Sequence, residues 1–463
     1  MTGSALPALR GRARTSMKIA ERSPHAEQDT AAFESLRNSA LREPEPVWLA
    51  ELREKAFKSF SEHGLPDIHD EEWRYASLES MRRVKLSAPV KMDLPGGFAA
   101  LKPFLPEESW PRLVFINGIF APSLSNLSTA GPAVSRIQGK WKEREAQEML
   151  ADPNVDQNRP LSALNTVLFS DGLCLELEAG RHYEHPFVLV DIAAGSSPVS
   201  SALRHGVKAG AGSRASLVHV ILELGGPNSF HNGVMTIDLA ENTVLEHAVF
   251  RLGPGAPLRI AHVDCRQQKG SRFVSNVFGT GAGLFRNEMR VSLSQPQAEC
   301  ELNGLFLGSA AAQLNEHVRV DHLAPECRSQ QLWKSVADGQ SRVAVEGLVY
   351  VHPGAQKTDA LQQIRSLLLS ADAVADAKPQ LEIYADDVKC SHGAALGQLE
   401  EDSIFYLQSR GIGRETAIRM LTEGFAADVT EKFSRPELRA FALAQIQTYF
   451  GTGAAGGSGH ENR

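Results

Sequence analysis

LEIYADDVKCSHGAALGQL, residues Leu381–Leu399, is where the character of the chain changes. From Leu173 up to this point the sequence reads as β, and beyond Leu399 it reads as helix. Leu381, Ile383 and Ala385 alternate with Glu382, Tyr384 and Asp386, the period-2 pattern of a strand with one face turned inward. Cys390 and His392 follow two positions apart. On an extended chain both side chains leave the same face, with Cβ atoms roughly 6 to 7 Å apart. Two donors at that spacing could sit beside one metal or on adjacent irons of a cluster, but a tetrahedral shell needs about four. Any metal held there requires ligands from elsewhere.

Upstream, LCLELEAG, HPFVLVDI, ASLVHVILEL, GVMTIDLA, TVLEHAVFRL, RIAHVDC, RFVSNVFG, EMRVSLS, ECELNGLFLG and HVRVDHL are short strands separated by turns such as 209–213, 269–271 and 280–283. No amphipathic helix interrupts them. Ahead of the run, Asn117-Gly118 between apolar residues is a strong hairpin signal. Many strands without crossover helices allow a sandwich, a barrel or a β-helix of stacked rungs. A β-helix suits the run best, although no strict hexapeptide repeat is present. Stacked rungs have open ends, which predicts helical lobes at the termini and strand-to-strand contact with another chain.

The expected organisation is a disordered tail over 1–28, a helical region over 29–110, a β-helix core over 111–395 with a helical interlude near 140–168, a helical bundle over 396–451 and a flexible tail over 452–463. In the first helical region the pattern runs helical from about Thr30 to Leu78, with Pro46 in a first turn and Gly64 as a stop. In the bundle, Ala417, Ile418, Leu421, Phe425, Val429 and Phe433 form one stripe, and a further helix starts at Pro436. These stripes are wider than a small bundle can bury, so part of them packs on the β-helix end or on a partner. Phe405, Tyr406 and Ile412 are the expected partner anchors.

Composition narrows the function. A net charge of −7 from 48 basic and 55 acidic residues argues against nucleic acid and gives no reason to expect an anionic membrane surface. The five cysteines, Cys174, Cys265, Cys300, Cys327 and Cys390, include no C-x-x-C pair and fit a reducing cytoplasm. Arg10, Arg12, Arg14 and Lys18 precede the first acidic residue, so residues 1–20 read either as a tail, with an over-extended start before Met17, or as an organellar transit peptide. No H-E-x-x-H, G-x-S-x-G or P-loop occurs, so the chain has no nucleotide site of its own in its motifs. His63, His69, Asp70, Glu71 and Glu72 read as a helix start, with Trp73 and Tyr75 as core anchors. His317 and His322, five apart, point to opposite faces of a strand. Cys174, Cys265 and Cys300 read as core residues. Cys390 differs, because Lys389 and His392 beside it would favour a thiolate.

Three groups of residues carry a family resemblance. KPQLEIYADDVKCSHGA, Lys378–Ala394, with IFYLQSRGI, Ile404–Ile412, resembles the signature of the SufB/SufD family of iron–sulfur cluster assembly scaffolds, and its C-S-H-G form is that of the SufD branch. GLPDIHDEEWRYASL at Gly64–Leu78 is similar to the family's N-terminal segment, and Cys327–Val351 with Gln356–Ser370 is similar to its last rungs. One departure is Ile364-Arg365, where the family usually carries a polar run.

The resemblance implies a right-handed parallel β-helix core between N-terminal and C-terminal helical regions. It also implies a non-catalytic scaffold working with SufB, paired through the β-helix, and with the ATPase SufC, docked on the C-terminal helices. A homodimer in isolation is the alternative assembly. Cys390 and His392 are the implied metal and cluster residues, toward iron or a nascent cluster held transiently and shared with the partner. Two rival readings are a purely structural partner with no metal ligands and a polysaccharide-acting β-helix enzyme. The latter is disfavoured by 7% aromatics and by Asp386 and Asp387 lying on opposite faces of a strand.

Overall fold

The computed structural model describes residues 23–39, 45–128, 131–150, 159–226 and 228–451. The segments proposed as terminal tails fall almost wholly outside these residues. The chain is mainly β, with 40% strand and 26% helix, and forms a parallel β-solenoid of about eight turns between N- and C-terminal helices.

Each coil contributes one strand to each of two sheets, and the two stacks have ten and nine strands. From the strand Phe187–Ala193 to the strand Lys389–Gly397 the larger sheet is parallel and pairs only alternate strands of the sequence. Strands are commonly ten residues, such as Leu258–Gln267, Leu284–Leu293 and Gln313–His322, and are paired residue for residue across their whole length. Matched length and register let identical positions of successive coils stack, which builds a continuous core. Leu203, Met235, Val263, Met289, Val318 and Val345 are among the buried residues of that interior.

A second periodicity lies in the corners. Gly212, Asn242, Gly270, Gln297, Glu326 and Lys357 all have positive φ, between 58° and 70°. The N–H of each donates to a carbonyl of the next coil: Glu241, Lys269, Pro296, Pro325, Gln356 and Asp387 in turn. The left-handed residue aims its N–H along the solenoid axis, so the turns stitch themselves together.

The helices cover the outer faces. Phe33, Phe60, Leu161 and Leu164 pack on Phe230, Leu258, Ile260 and Leu284 of the smaller sheet. Arg53, 1% exposed, donates to the carbonyls of Thr166, Val167 and Phe169 and satisfies the C-terminal end of helix Pro160–Leu168. On the larger sheet, Val429, Phe433, Phe441, Ala442, Ile446 and Phe450 share a cluster with Val220, Phe250, Leu305 and Val336. Among the described residues no helix is long and apolar enough to cross a membrane.

Four expectations need correction. Helix does not run from Thr30 to Leu78: helices span Ala26–Ser39 and Val47–His63, with Pro46 as the N-cap, and beyond Gly64 only a short 3₁₀ turn, Glu71–Trp73, forms before Leu78. The surplus apolar stripes pack on a sheet face, not on the solenoid's end, because only the face offers a long row of apolar side chains. Helical lobes do not cap both ends. Instead the N-terminal end is closed by antiparallel strands, Ile119–Phe120 on the larger sheet and Val134–Arg136 on the smaller, the former joined through the Asn117-Gly118 hairpin. Asp386 and Asp387 lie in a turn between strands rather than in one, and both are exposed.

Candidate functional site

The site is built on the last coil, whose strands Val374–Ile383 and Lys389–Gly397 are the outermost members of the two sheets. Cys390 pairs with Ala360 and His392 with Gln362. Ala360 and Gln362 face the interior: Ala360 is 2% exposed and Gln362 is fully buried, its amide donating to Gln331 Oε1 at 3.0 Å. Cys390 and His392 therefore occupy the core-facing row together, as their spacing predicts.

Among the described residues no further coil stacks on this row, so it is left uncovered at the end of the solenoid. Cys390 is half-buried against Leu381, Val388 and the cluster of Val349, Val351, Ala355, Ala360 and Ala385. His392 is exposed, as are Tyr384 at 56% and Leu396 at 52%. The strand alternation read from Leu381 to Asp386 is realised only in part. Strand pairing stops at Ile383, which is 40% exposed for want of a neighbour. Along Lys389–Gly397 the backbone groups on the outer side have no strand partner among the described residues, and an edge of this kind pairs readily with another strand.

The electrostatics correct the thiolate expectation. Burial, then the carboxylate of Asp359, push the Cys390 thiol above its ordinary range, opposed by the N–H of Ala360. Lys389, next in sequence, projects from the opposite face and pairs in register with Asp359. Burial and Asp359 both favour the neutral thiol of Cys390 over its thiolate.

Among the described residues no group of three or more His, Cys, Asp and Glu side chains is placed to hold a metal ion. Cys390 and His392 would supply at most two of the donors that a tetrahedral metal shell needs. His317 and His322 do lie on opposite faces. His322, inside, meets Ser329 Oγ at 2.9 Å, while His317 joins an outer row with His262, Glu288, Glu346 and Lys378. Cys327 is buried and its thiol meets the Gln295 carbonyl at 3.3 Å. Trp73 is buried and takes the Arg286 guanidinium on its ring at 4.2 Å, as a core anchor would.

Sequence reasoning missed a polar column inside the solenoid. Arg259 bridges Glu223 at 2.6 Å and Asp191 at 2.7 Å, and His205, His219 and His247 follow one another with ring centroids 5.7 and 6.5 Å apart. Each histidine sits singly among strand apolars, so nothing local in the sequence marks the column.

On the helices, Phe405 is 71% exposed, Tyr406 59% and Met420 45%, whereas Ile412 is half-buried. Phe405 and Tyr406 are exposed aromatics on the helix Glu401–Ser409 that follows the terminal coil in the chain.

Residues 192–425 match a family model described as SUF system FeS cluster assembly, SufBD core domain. The chain is 28% identical to the iron–sulfur cluster assembly protein SufD of Escherichia coli over 83% of its own length and 89% of that protein's. It is 30% identical to an iron–sulfur cluster assembly SufBD family protein of Synechocystis over 81% of its length and 85% of the relative's. A match at 37% identity to the chloroplastic protein ABCI7 of Arabidopsis thaliana covers 47% of this chain and 46% of that one.

Proposed function

Since the chain belongs to the SufBD family of the SUF iron–sulfur cluster assembly system, and within it is SufD-like, we propose that it is a non-catalytic scaffold subunit on which iron or a nascent cluster is received and passed on. The observation that carries this reading is the terminal coil, where Cys390 and His392 share the core-facing row of an uncapped end. The cluster is cargo here. Two donors on an open edge fit a site completed by the equivalent edge of a second chain, with SufB as the proposed partner through strand pairing. The exposed Phe405 and Tyr406 support docking of the ATPase SufC on the C-terminal helices, since the chain has no nucleotide motif of its own. A homodimer through the same edge is the proposed state when SufB is absent, and the cytoplasm, or an organelle if residues 1–20 are a transit peptide, is the proposed compartment.

The test is anaerobic iron and sulfide analysis of the co-purified complex, wild type against His392→Ala. Loss of iron and sulfide in the variant with the complex intact supports ligation. Unchanged loading would make this subunit an inert structural partner. The isolated chain should bind iron poorly, because its donor set is incomplete.

A further inference from the structure

On the outer face of the smaller sheet, Asp264, Arg290 and Arg319 stand side by side in register on adjacent strands. Their neighbours along the strands, Arg266, Ser292 and Asp321, form the next row on the same face. Three of the four guanidiniums gathered here are matched. Arg159 takes Asp264 at 3.1 and 3.2 Å, Arg266 takes Asp238 at 2.6 and 2.9 Å, and Arg319 takes Asp321 at 2.7 to 3.0 Å. Arg290, in the middle, forms no ion pair among the described residues, and its Nε is buried without a hydrogen-bond partner. Burial, and the flanking charges of Arg159 and Arg319, pull its pKa down to about 10, against Asp264 and Asp321, which raise it. Glu72 of the N-terminal lobe and Glu382 of the last coil border the cluster, and neither forms a salt bridge with Arg290 among the described residues.

A half-buried guanidinium between two like charges, whose nearby carboxylates Asp264 and Asp321 are each bound to another arginine, keeps a buried N–H unsatisfied, and an anion that meets its planar fork would satisfy it. From this geometry we propose that Arg290 is the floor of an oxyanion site taking a tetrahedral anion of the phosphate or sulfate kind. Arg159 and Arg319 flank it, and the Ser292 hydroxyl lies on the same face one row away. The neighbouring guanidiniums are tied to aspartates through only part of their forks, Arg159 through Nη1 and Arg319 through Nε and Nη2, so Arg290 dominates affinity while a tetrahedral anion meets more of the remaining donors than a flat carboxylate does.

Thermal unfolding of the full chain would be followed at one ionic strength while sodium chloride is replaced stepwise by sodium phosphate, with sodium acetate as comparator. Wild type should gain Tm with phosphate and not with acetate, as mass action requires for a ligand of the folded state. Arg290→Met should abolish the phosphate response while unfolding no lower than wild type in chloride, because an unmatched charge has been replaced by an apolar chain of similar volume. Arg290→Lys, which keeps the charge but loses the fork, should weaken phosphate binding on the order of tenfold by calorimetry. A wild type indifferent to phosphate, an acetate response of equal size, or a phosphate response that persists in either variant at full strength would overturn the proposal.

Discussion

Cys390 shows how a single side chain takes its chemistry from its place in the stack. Its thiol is held above the ordinary range by burial and by Asp359, so thiolate-dependent alkylation at pH 7 should be slower than for an exposed cysteine and should accelerate as pH rises. Time-resolved iodoacetamide labelling between pH 7 and 9.5 checks this, and Cys265, above its ordinary range and wholly buried, should stay unlabelled until the chain unfolds. That Cys390 and His392 share a face was legible from their spacing. Their exposure was not, because it depends on the absence of a following coil, which no local pattern encodes. At Gly172 a Cβ would lie 1.6 Å from the Arg204 carbonyl oxygen. Two backbones meet there, so Gly172→Ala should destabilise by at least about 2 kcal/mol, read from urea unfolding.

Among the elements, the C-terminal helices carry the largest consequence. Phe250 on the larger sheet meets Phe433 at 5.4 Å and Phe441 at 4.9 Å, with Lys334 bound to the Phe425 carbonyl and Tyr449 to that of Gly308. Phe441→Ala should cost about 3 to 5 kcal/mol, measurable as a fall in the unfolding midpoint. A chain cut after Gln398 would bare this whole face and should aggregate or unfold, so SufC docking is better tested by Phe405→Ala with Tyr406→Ala, whose side chains are mostly exposed. The helices themselves were readable from apolar periodicity and from Gly and Pro punctuation. The coil repeat was not. Its marker is a left-handed backbone at each corner, occupied by Gly, Asn, Gln, Glu or Lys, so the geometry repeats while the residue does not.

At the scale of the whole molecule, the interior histidines make stability depend on acidity. Burial lowers His205, His231, His247 and His322 to about 4, from an ordinary value of 6.5. Between these values the unfolded chain binds more protons than the folded one, so stability is full above about pH 6.5 and is lost as pH falls toward 4. Each group contributes at most on the order of 3 kcal/mol across that window. Glu316, raised by burial, acts in the opposite sense, since its folded proton favours the fold as pH falls. Glu72, Asp171 and Glu346, also raised by burial, add to that opposing side, while Glu223 and Glu288, lowered despite burial by Arg259 and Arg286, add to the side of the histidines; on balance Tm should drop between pH 6.5 and 4.5, and His247→Phe should flatten the slope. A flat profile in the wild type would contradict the neutral column.

The path of the last two helices determines where the molecule is strong under load. After leaving the terminal coil, the chain runs back over coils laid down much earlier: Lys432 reaches Glu301, Ser434 reaches Glu246, and Arg435 reaches the Glu184 carbonyl. Tension applied at the C-terminus is therefore delivered in shear to the middle of the solenoid, through several anchors at once. The exposed final strand lies off that line of force, joined to it by a short helix whose Glu401 grips Arg414 through two 2.7 Å contacts. Any pull on these helices would flex the connecting helix long before it peeled the edge strand, leaving that strand mechanically insulated while the helices move.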